Sequence, residues 1–153
     1  MKRIVGILVF LVGFMGLTAQ EVTFDNGRYF NESGDLFNGE LIAKHDNGQT
    51  KSVHQIKDGR FDGDVTFYHD NGQMNEKGSY LNGRKDGIWE SWNETGVKTG
   101  EAFYSSGIKD GIWTIWDDNG VKRYHMTYAM GEKIDVWRMW DEDSNLVSEK
   151  IYD

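Results

Sequence analysis

Four histidines, a recurring Asp-Asn-Gly triplet and six tryptophans are the residues of this chain whose types and spacing could do chemistry. The histidines are His45, His54, His69 and His125. His45 and His69 stand 24 residues apart, each directly before an Asp-Asn-Gly triplet. Such a pair invites a metal reading. If the spacing is a structural repeat of two strands, the two rings lie roughly 9–10 Å apart, whereas zinc holds its ligands at about 2 Å. The pair therefore reads as exposed residues flanking turns. Asp46-Asn47-Gly48, Asp70-Asn71-Gly72, Asp118-Asn119-Gly120 and the run Asp141-Glu142-Asp143 suggest calcium, but the alternating oxygen ligands and closing Glu of a calcium loop are missing. Carboxylates at hairpin tips are mostly turn formers. No metal is expected.

Catalysis finds no better footing. Cysteine is absent, and the sequence places no Ser or Thr together with a His and a carboxylate. Paired carboxylates recur at every unit, where a general acid and base are needed once. No glycine-rich loop opens a helix that could cradle a phosphate. The chain is expected not to be an enzyme and to hold no cofactor.

The tryptophans show instead what elements must exist. Trp89, Trp113 and Trp137 are spaced by 24, and so are Trp92, Trp116 and Trp140. The same interval carries Ile56, Tyr80, Tyr104, Tyr128 and Tyr152. It also carries three glycine rows: Gly48, Gly72, Gly96 and Gly120; Gly59, Gly83, Gly107 and Gly131; and Gly39, Gly63, Gly87 and Gly111. An internal period of this length marks a repeat architecture. The units run 37–60, 61–84, 85–108, 109–132 and 133–153, preceded by a degenerate cap over 20–36. Within each unit two glycine-marked turns separate two short strands. Asn-Gly in the Asp-Asn-Gly triplet is read as the tight hairpin turn, and the stretch Asn82 to Gly87 as a longer one. The fold class is all-β, an antiparallel meander of 24-residue hairpins forming a single twisted sheet.

Alternation assigns the faces. Trp89, Trp113 and Trp137 share one with Val65 and Phe67. Ile88, Glu90 and Trp92, with Ile112, Thr114 and Trp116, and Val136, Arg138 and Trp140, share the other. If the longer turn pairs its flanks symmetrically, Tyr80 lies opposite Trp89, Tyr104 opposite Trp113 and Tyr128 opposite Trp137, and Tyr152 closes the last unit. That aromatic ladder is read as packing. The Trp92, Trp116 and Trp140 row, with Tyr68 at the equivalent place one unit earlier, is the candidate binding strip, because rimmed apolar patches mark interaction surfaces.

The chain holds 17 Lys and Arg against 25 Asp and Glu, a formal charge of −8. An acidic surface repels phosphate backbones and anionic headgroups, which argues against nucleic acid and anionic membrane as partners. Lys2 and Arg3 precede an uncharged run from Ile4 to Leu17, too short for a membrane span of about 20 residues. It suits a secretory signal peptide over 1–19, cut near Ala19, so that the protein is exported to periplasm, cell surface or medium.

The units resemble the bacterial form of the MORN-repeat variant family. Asn82-Gly83 through Gly87, Trp89, Trp92 and Gly96 carry the likeness, as do Gly107 through Gly111, Trp113, Trp116 and Asn119-Gly120. The resemblance covers 37–153. It weakens at the ends, where Leu41 and Lys44 replace Trp, and Asp135 and Ser144 replace Gly. Related chains are often labelled YwqK-type antitoxins, which implies binding of a partner protein. Two readings follow. One is a protein-interaction module, antitoxin-like, acting on an unidentified protein of the cell envelope. The other is a cell-wall or glycan-binding module stacking sugars on the Trp92 row. A homodimer that covers one face of the sheet is compatible with either.

Overall fold

The computed structural model describes residues 5–7 and 21–153. The leader expected over 1–19, with its cut near Ala19, lies outside the described residues except for Val5–Ile7. Among the described residues there is no helix. The strands are β1 (Val5–Ile7), β2 (Val22–Asp25), β3 (Arg28–Phe30), β4 (Gly39–Lys44), β5 (Thr50–Lys57), β6 (Arg60–Tyr68), β7 (Met74–Leu81), β8 (Arg84–Trp92), β9 (Lys98–Ser105), β10 (Ile108–Trp116), β11 (Lys122–Ala129), β12 (Glu132–Trp140) and β13 (Leu146–Tyr152). The first three form a small sheet. The other ten form one open antiparallel sheet in strict sequence order, β4 to β13, with two strands from each 24-residue unit. This is the all-β meander that the period requires. Every neighbour in space is a neighbour in sequence, which keeps the contacts local.

The two turns of each unit differ from the expectation, and in opposite directions. Asn82 and Gly83 both have positive φ, 50° and 80°, and Leu81 pairs directly with Arg84. Asn26-Gly27, Asp58-Gly59, Ser106-Gly107 and Met130-Gly131 repeat this geometry. These are the two-residue hairpins whose positive φ at both positions matches the right-handed twist of paired strands. The Asp-Asn-Gly triplets make the wider loop. There only the glycine has positive φ, 86° at Gly48, while the Gly48 amide donates to the His45 carbonyl at 2.9 Å and the His45 amide to the Gln49 carbonyl at 2.9 Å.

The asparagine of the triplet serves another purpose. Asn47 Oδ1 accepts the Gln49 amide at 2.9 Å, and Asn47 Nδ2 donates to the Asp70 carbonyl at 2.7 Å. Asn71 repeats the pair of bonds on Gln73 and Glu94. One side chain thus shapes its own loop and ties it to the loop of the next unit. The tight turns are tied as well. The Asp62 carboxylate accepts the Asn82 amide at 2.9 Å, Asp86 that of Ser106 at 2.9 Å, and Asp110 that of Met130 at 3.1 Å. These wide loops are therefore tied to the loop of the next unit, and these tight turns to the strand that opens their own unit. Each such bond contributes roughly 0.5–1.5 kcal/mol.

Because the tight turn demands left-handed backbone, its first residue matters. Met130 adopts φ 48° and is 80 % exposed, so its side chain gains little from packing while the backbone is strained. Met130→Asn is expected to raise the unfolding free energy by about 1 kcal/mol, since Asn tolerates this conformation at lower cost. An unchanged midpoint in urea denaturation would show that the turn carries no strain.

The pairing register also differs from a symmetric long turn. Gly87 has φ 76° and lies where the β7–β8 register shifts, between the partners of Lys77 and Ser79. Tyr80 is consequently opposite Lys85, not Trp89. The rings nonetheless meet, because the Trp89 indole lies over Gly78, where an added β-carbon would stand 2.4 Å from the ring. Tyr80 and Trp89 pack edge to face with centroids 5.1 Å apart. Tyr104 with Trp113 and Tyr128 with Trp137 repeat this at 5.1 Å.

The rings form one continuous file from Phe24 through Tyr29, Phe61, Tyr80, Trp89, Tyr104, Trp113, Tyr128 and Trp137 to Tyr152. A single-layer sheet has no second layer to pack on, and this file serves as one. At its start it joins the buried cluster of Val22, Phe37, Leu41 and Ile56, which seats the β2–β3 hairpin on the first units.

Candidate functional site

The face that carries the aromatic file is also a file of cations. Lys85 Nζ lies 3.5 Å from the Trp89 ring centroid, Lys109 4.4 Å from Trp113 and Lys133 4.5 Å from Trp137. Each also approaches the following tyrosine, Tyr104, Tyr128 or Tyr152, at 5.0–5.3 Å. Cation–π contacts of this kind contribute about 0.5–1 kcal/mol at exposed sites. Each indole N–H is satisfied by a backbone carbonyl ten residues earlier: Ser79 for Trp89, Phe103 for Trp113 and Thr127 for Trp137, at 3.0–3.1 Å. Burial raises the Tyr80 and Tyr104 hydroxyl pKa above the ordinary value, with Glu76 adding to the effect.

On the opposite face the structure places Tyr68, Trp92, Trp116 and Trp140 in one row near the wider loops. They are half-buried. Lys77, Lys98 and Lys122 hold their ammonium groups 5.5–5.7 Å from the centroids of Trp92, Trp116 and Trp140 respectively. Beside them runs a line of ion pairs. Glu90 accepts from Lys77 at 2.8 Å and from Lys98 at 2.7 Å, Lys98 also meets Glu101, and Arg138 meets Glu149 at 2.9 Å. Hydrogen bonds from Lys77 and then Lys98 hold the Glu90 carboxyl below the usual carboxylate range.

The most exposed apolar side chains on this face are others. Ile88 is 57 % exposed, Phe103 38 %, Ile112 54 % and Ile151 69 %. Ile88 pairs with Phe103, and Ile151 pairs with Val136, so the stripe crosses the sheet from β8 to β13. The spacing of the tryptophans predicts the binding strip on the Trp92, Trp116 and Trp140 row, and the isoleucine stripe runs beside it on the same face. The signal for the isoleucines was available in the 24-residue spacing of Ile88, Ile112 and Val136. Exposure could not be read there, because it depends on which rows the long lysines cover.

His45 and His69, expected to be exposed, are half-buried. His45 Nε2 shares a hydrogen bond with the Tyr68 carbonyl at 2.9 Å, and His69 Nε2 with the Trp92 carbonyl at 2.9 Å. The rings reach into the next unit, which an isolated turn could not reveal. Among the described residues no three His, Asp or Glu gather to hold a metal ion.

His54 is the buried histidine. Its ring stacks on Phe61 at 4.5 Å and meets the edge of Phe67 at 5.2 Å; Nε2 shares a hydrogen bond with Ser52 Oγ at 3.1 Å, and Nδ1 has no partner. Burial lowers its pKa below the ordinary value. The unfolded chain then binds more protons than the folded one as pH falls below about 6.5, and stability is lost until the folded pKa is passed. His125 is shifted the same way by burial, with Lys122 and Arg138 adding to it. His54→Leu is expected to flatten, but not abolish, the fall in urea midpoint between pH 7.5 and pH 5. An undiminished fall would assign the acid sensitivity elsewhere.

The described residues present rings, ammonium groups and carboxylates in repeating rows, and the Ser52 hydroxyl that meets His54 is buried with it. Residues 61–82, spanning β6 and β7, and residues 109–130, spanning β10 and β11, each match the family model described as the MORN repeat variant. No curated protein matches the chain. Repeats of this kind are non-catalytic modules that mediate protein or membrane interactions. The chain carries repeats of the MORN variant family.

Proposed function

We propose that this chain is an exported, non-catalytic interaction module that binds a protein partner in the cell envelope, in an antitoxin-like or immunity-like manner. The observation that carries the reading is the stripe of Ile88, Phe103, Ile112 and Ile151, exposed on one face of an open sheet beside the Trp92, Trp116 and Trp140 row. Large apolar side chains grouped on a soluble surface and rimmed by charge mark sites of association. Export rests on Lys2, Arg3 and the uncharged run that follows them.

The test is capture from an envelope extract, with the extract used intact and after protease digestion. Retention from the intact extract alone, lost when Ile88 and Ile112 are both changed to Ser, is the expected result. Retention that survives digestion would replace the protein partner with a glycan. The geometry gives that second reading less support, since the Trp92, Trp116 and Trp140 rings are half-buried and flanked by lysines.

A further inference from the structure

The floor of the aromatic face is uneven. Along β9 it is made by Gly100 and Ala102, where the next unit has Tyr124 and Met126. The two missing side chains leave a groove of about 610 Å³ between Trp89 and Ser91 of β8 and Trp113 and Ile115 of β10. Tyr104 lines it as well, and so do Asp117 and Asp118 of the loop after β10. Ile115, 39 % exposed, offers apolar surface along its wall.

The charge of the lining is one-sided. Glu76, Glu90, Glu101, Asp117 and Asp118 contribute to it and no Lys or Arg does, although the Glu90 and Glu101 carboxylates meet Lys98. Lys85 meets Glu76 at 3.1 Å and Arg123 meets Asp117 at 3.4 Å, whereas the Asp118 carboxylate accepts only Asn93 Nδ2, at 3.1 Å. The flanking indoles already carry Lys85 and Lys109 close to their rings. A flat sugar has little free ring to stack on, but a side chain entering over Gly100 and Ala102 meets the groove directly.

We propose that this groove binds an extended, basic peptide segment of a partner protein. One apolar side chain of the segment lies over Gly100 and Ala102 beside Ile115 and the Trp113 indole, and an adjacent Arg or Lys meets Asp118. The site goes beyond the apolar stripe, which occupies the opposite face. Apolar anchors in a pocket supply affinity, and charge complementarity supplies choice of partner.

The probe is a panel of synthetic heptapeptides with Leu or Phe at the centre and Arg or Lys beside it, matched by a set with Glu in place of the cations. Titration of the purified chain follows tryptophan fluorescence. The expected result is saturable micromolar binding of basic peptides, weakened about tenfold by Ala102→Met and severalfold by Asp118→Asn. Met126 already occupies the corresponding position in the next unit, so the filled groove is compatible with the fold, and the variant is expected to keep the parent's circular dichroism. The Ile88→Ser, Ile112→Ser double variant is expected to bind the peptides as the parent does. The proposal is overturned if no basic peptide saturates, if the Glu set binds equally, if folded Ala102→Met keeps full affinity, or if the double variant loses the peptides. Failure of the peptides leaves the envelope capture experiment, which reads the opposite face, unaffected.

Discussion

Trp89→Ala is expected to lower the unfolding free energy by about 3–5 kcal/mol, as for a large aromatic removed from a packed core. Trp89 is 2 % exposed although the sheet has a single layer. It lies between Tyr80 at 5.1 Å and Tyr104 at 6.4 Å, with Lys85 over its ring and its N–H bonded to the Ser79 carbonyl. No neighbouring layer can collapse into the space it would leave. Gly78→Ala tests the same contact from below. Its β-carbon would sit 2.4 Å from the indole, so the ring must move, at about 1–3 kcal/mol. Trp113 stands opposite Ala102, which has a β-carbon already, so the demand for glycine is particular to the Trp89 seat. Urea denaturation of these variants beside Trp116→Ala measures the contrast. Trp116 is half-buried, and its loss is expected to cost less. Equal losses for Trp89 and Trp116 would mean that the aromatic file is not the second layer of the sheet.

Gly59→Ala is expected to cost about 3 kcal/mol, against about 1 kcal/mol for Gly83→Ala. Both glycines occupy the same place in a tight turn, with φ 72° and 80°. A β-carbon at Gly83 meets nothing within 4 Å, so only the backbone strain is felt. At Gly59 it would stand 2.7 Å from the Tyr29 carbonyl oxygen and 3.0 Å from Leu36. The Gly59 amide donates to the Phe37 carbonyl and its carbonyl accepts the Tyr29 amide, both at 2.9 Å. The substitution therefore pushes the β2–β3 hairpin off the array. Amide exchange at Tyr29 is expected to rise in Gly59→Ala and to stay unchanged in Gly83→Ala. Similar midpoints for the two variants would show that the hairpin is not seated through this turn.

Both predictions concern places where the repeat is broken by a local exception. Gly78, Ala102 and Met126 occupy one position of the repeat, as Gly100 and Tyr124 occupy another. Their variation decides where an indole sinks and where a groove opens. A consensus of the units would average these differences away.

Legibility in the sequence followed the same division. The 24-residue period of Trp, Tyr and Gly determined an all-β meander of hairpins, two strands to a unit, because its glycine turns recur about every 12 residues and leave room for short strands between them. It also determined which residues share a face, since alternation in a strand is strictly local. Turn type is not legible where one residue serves two purposes. Asn47 and Asn71 look like positive-φ formers but tie one unit to the next, whereas Met130 sits in the strained position because Gly131 follows it. Exposure was not legible at all. Ile88 and Ile112 stand clear of the surface and Trp116 does not, since burial in a single-layer sheet depends on side chains arriving from neighbouring strands. The register set by the Gly87 bulge, the cations over the rings and the unpartnered Nδ1 of His54 likewise belong to the tertiary structure. Local geometry is written in spacing, but contact between units depends on distances that spacing alone does not encode.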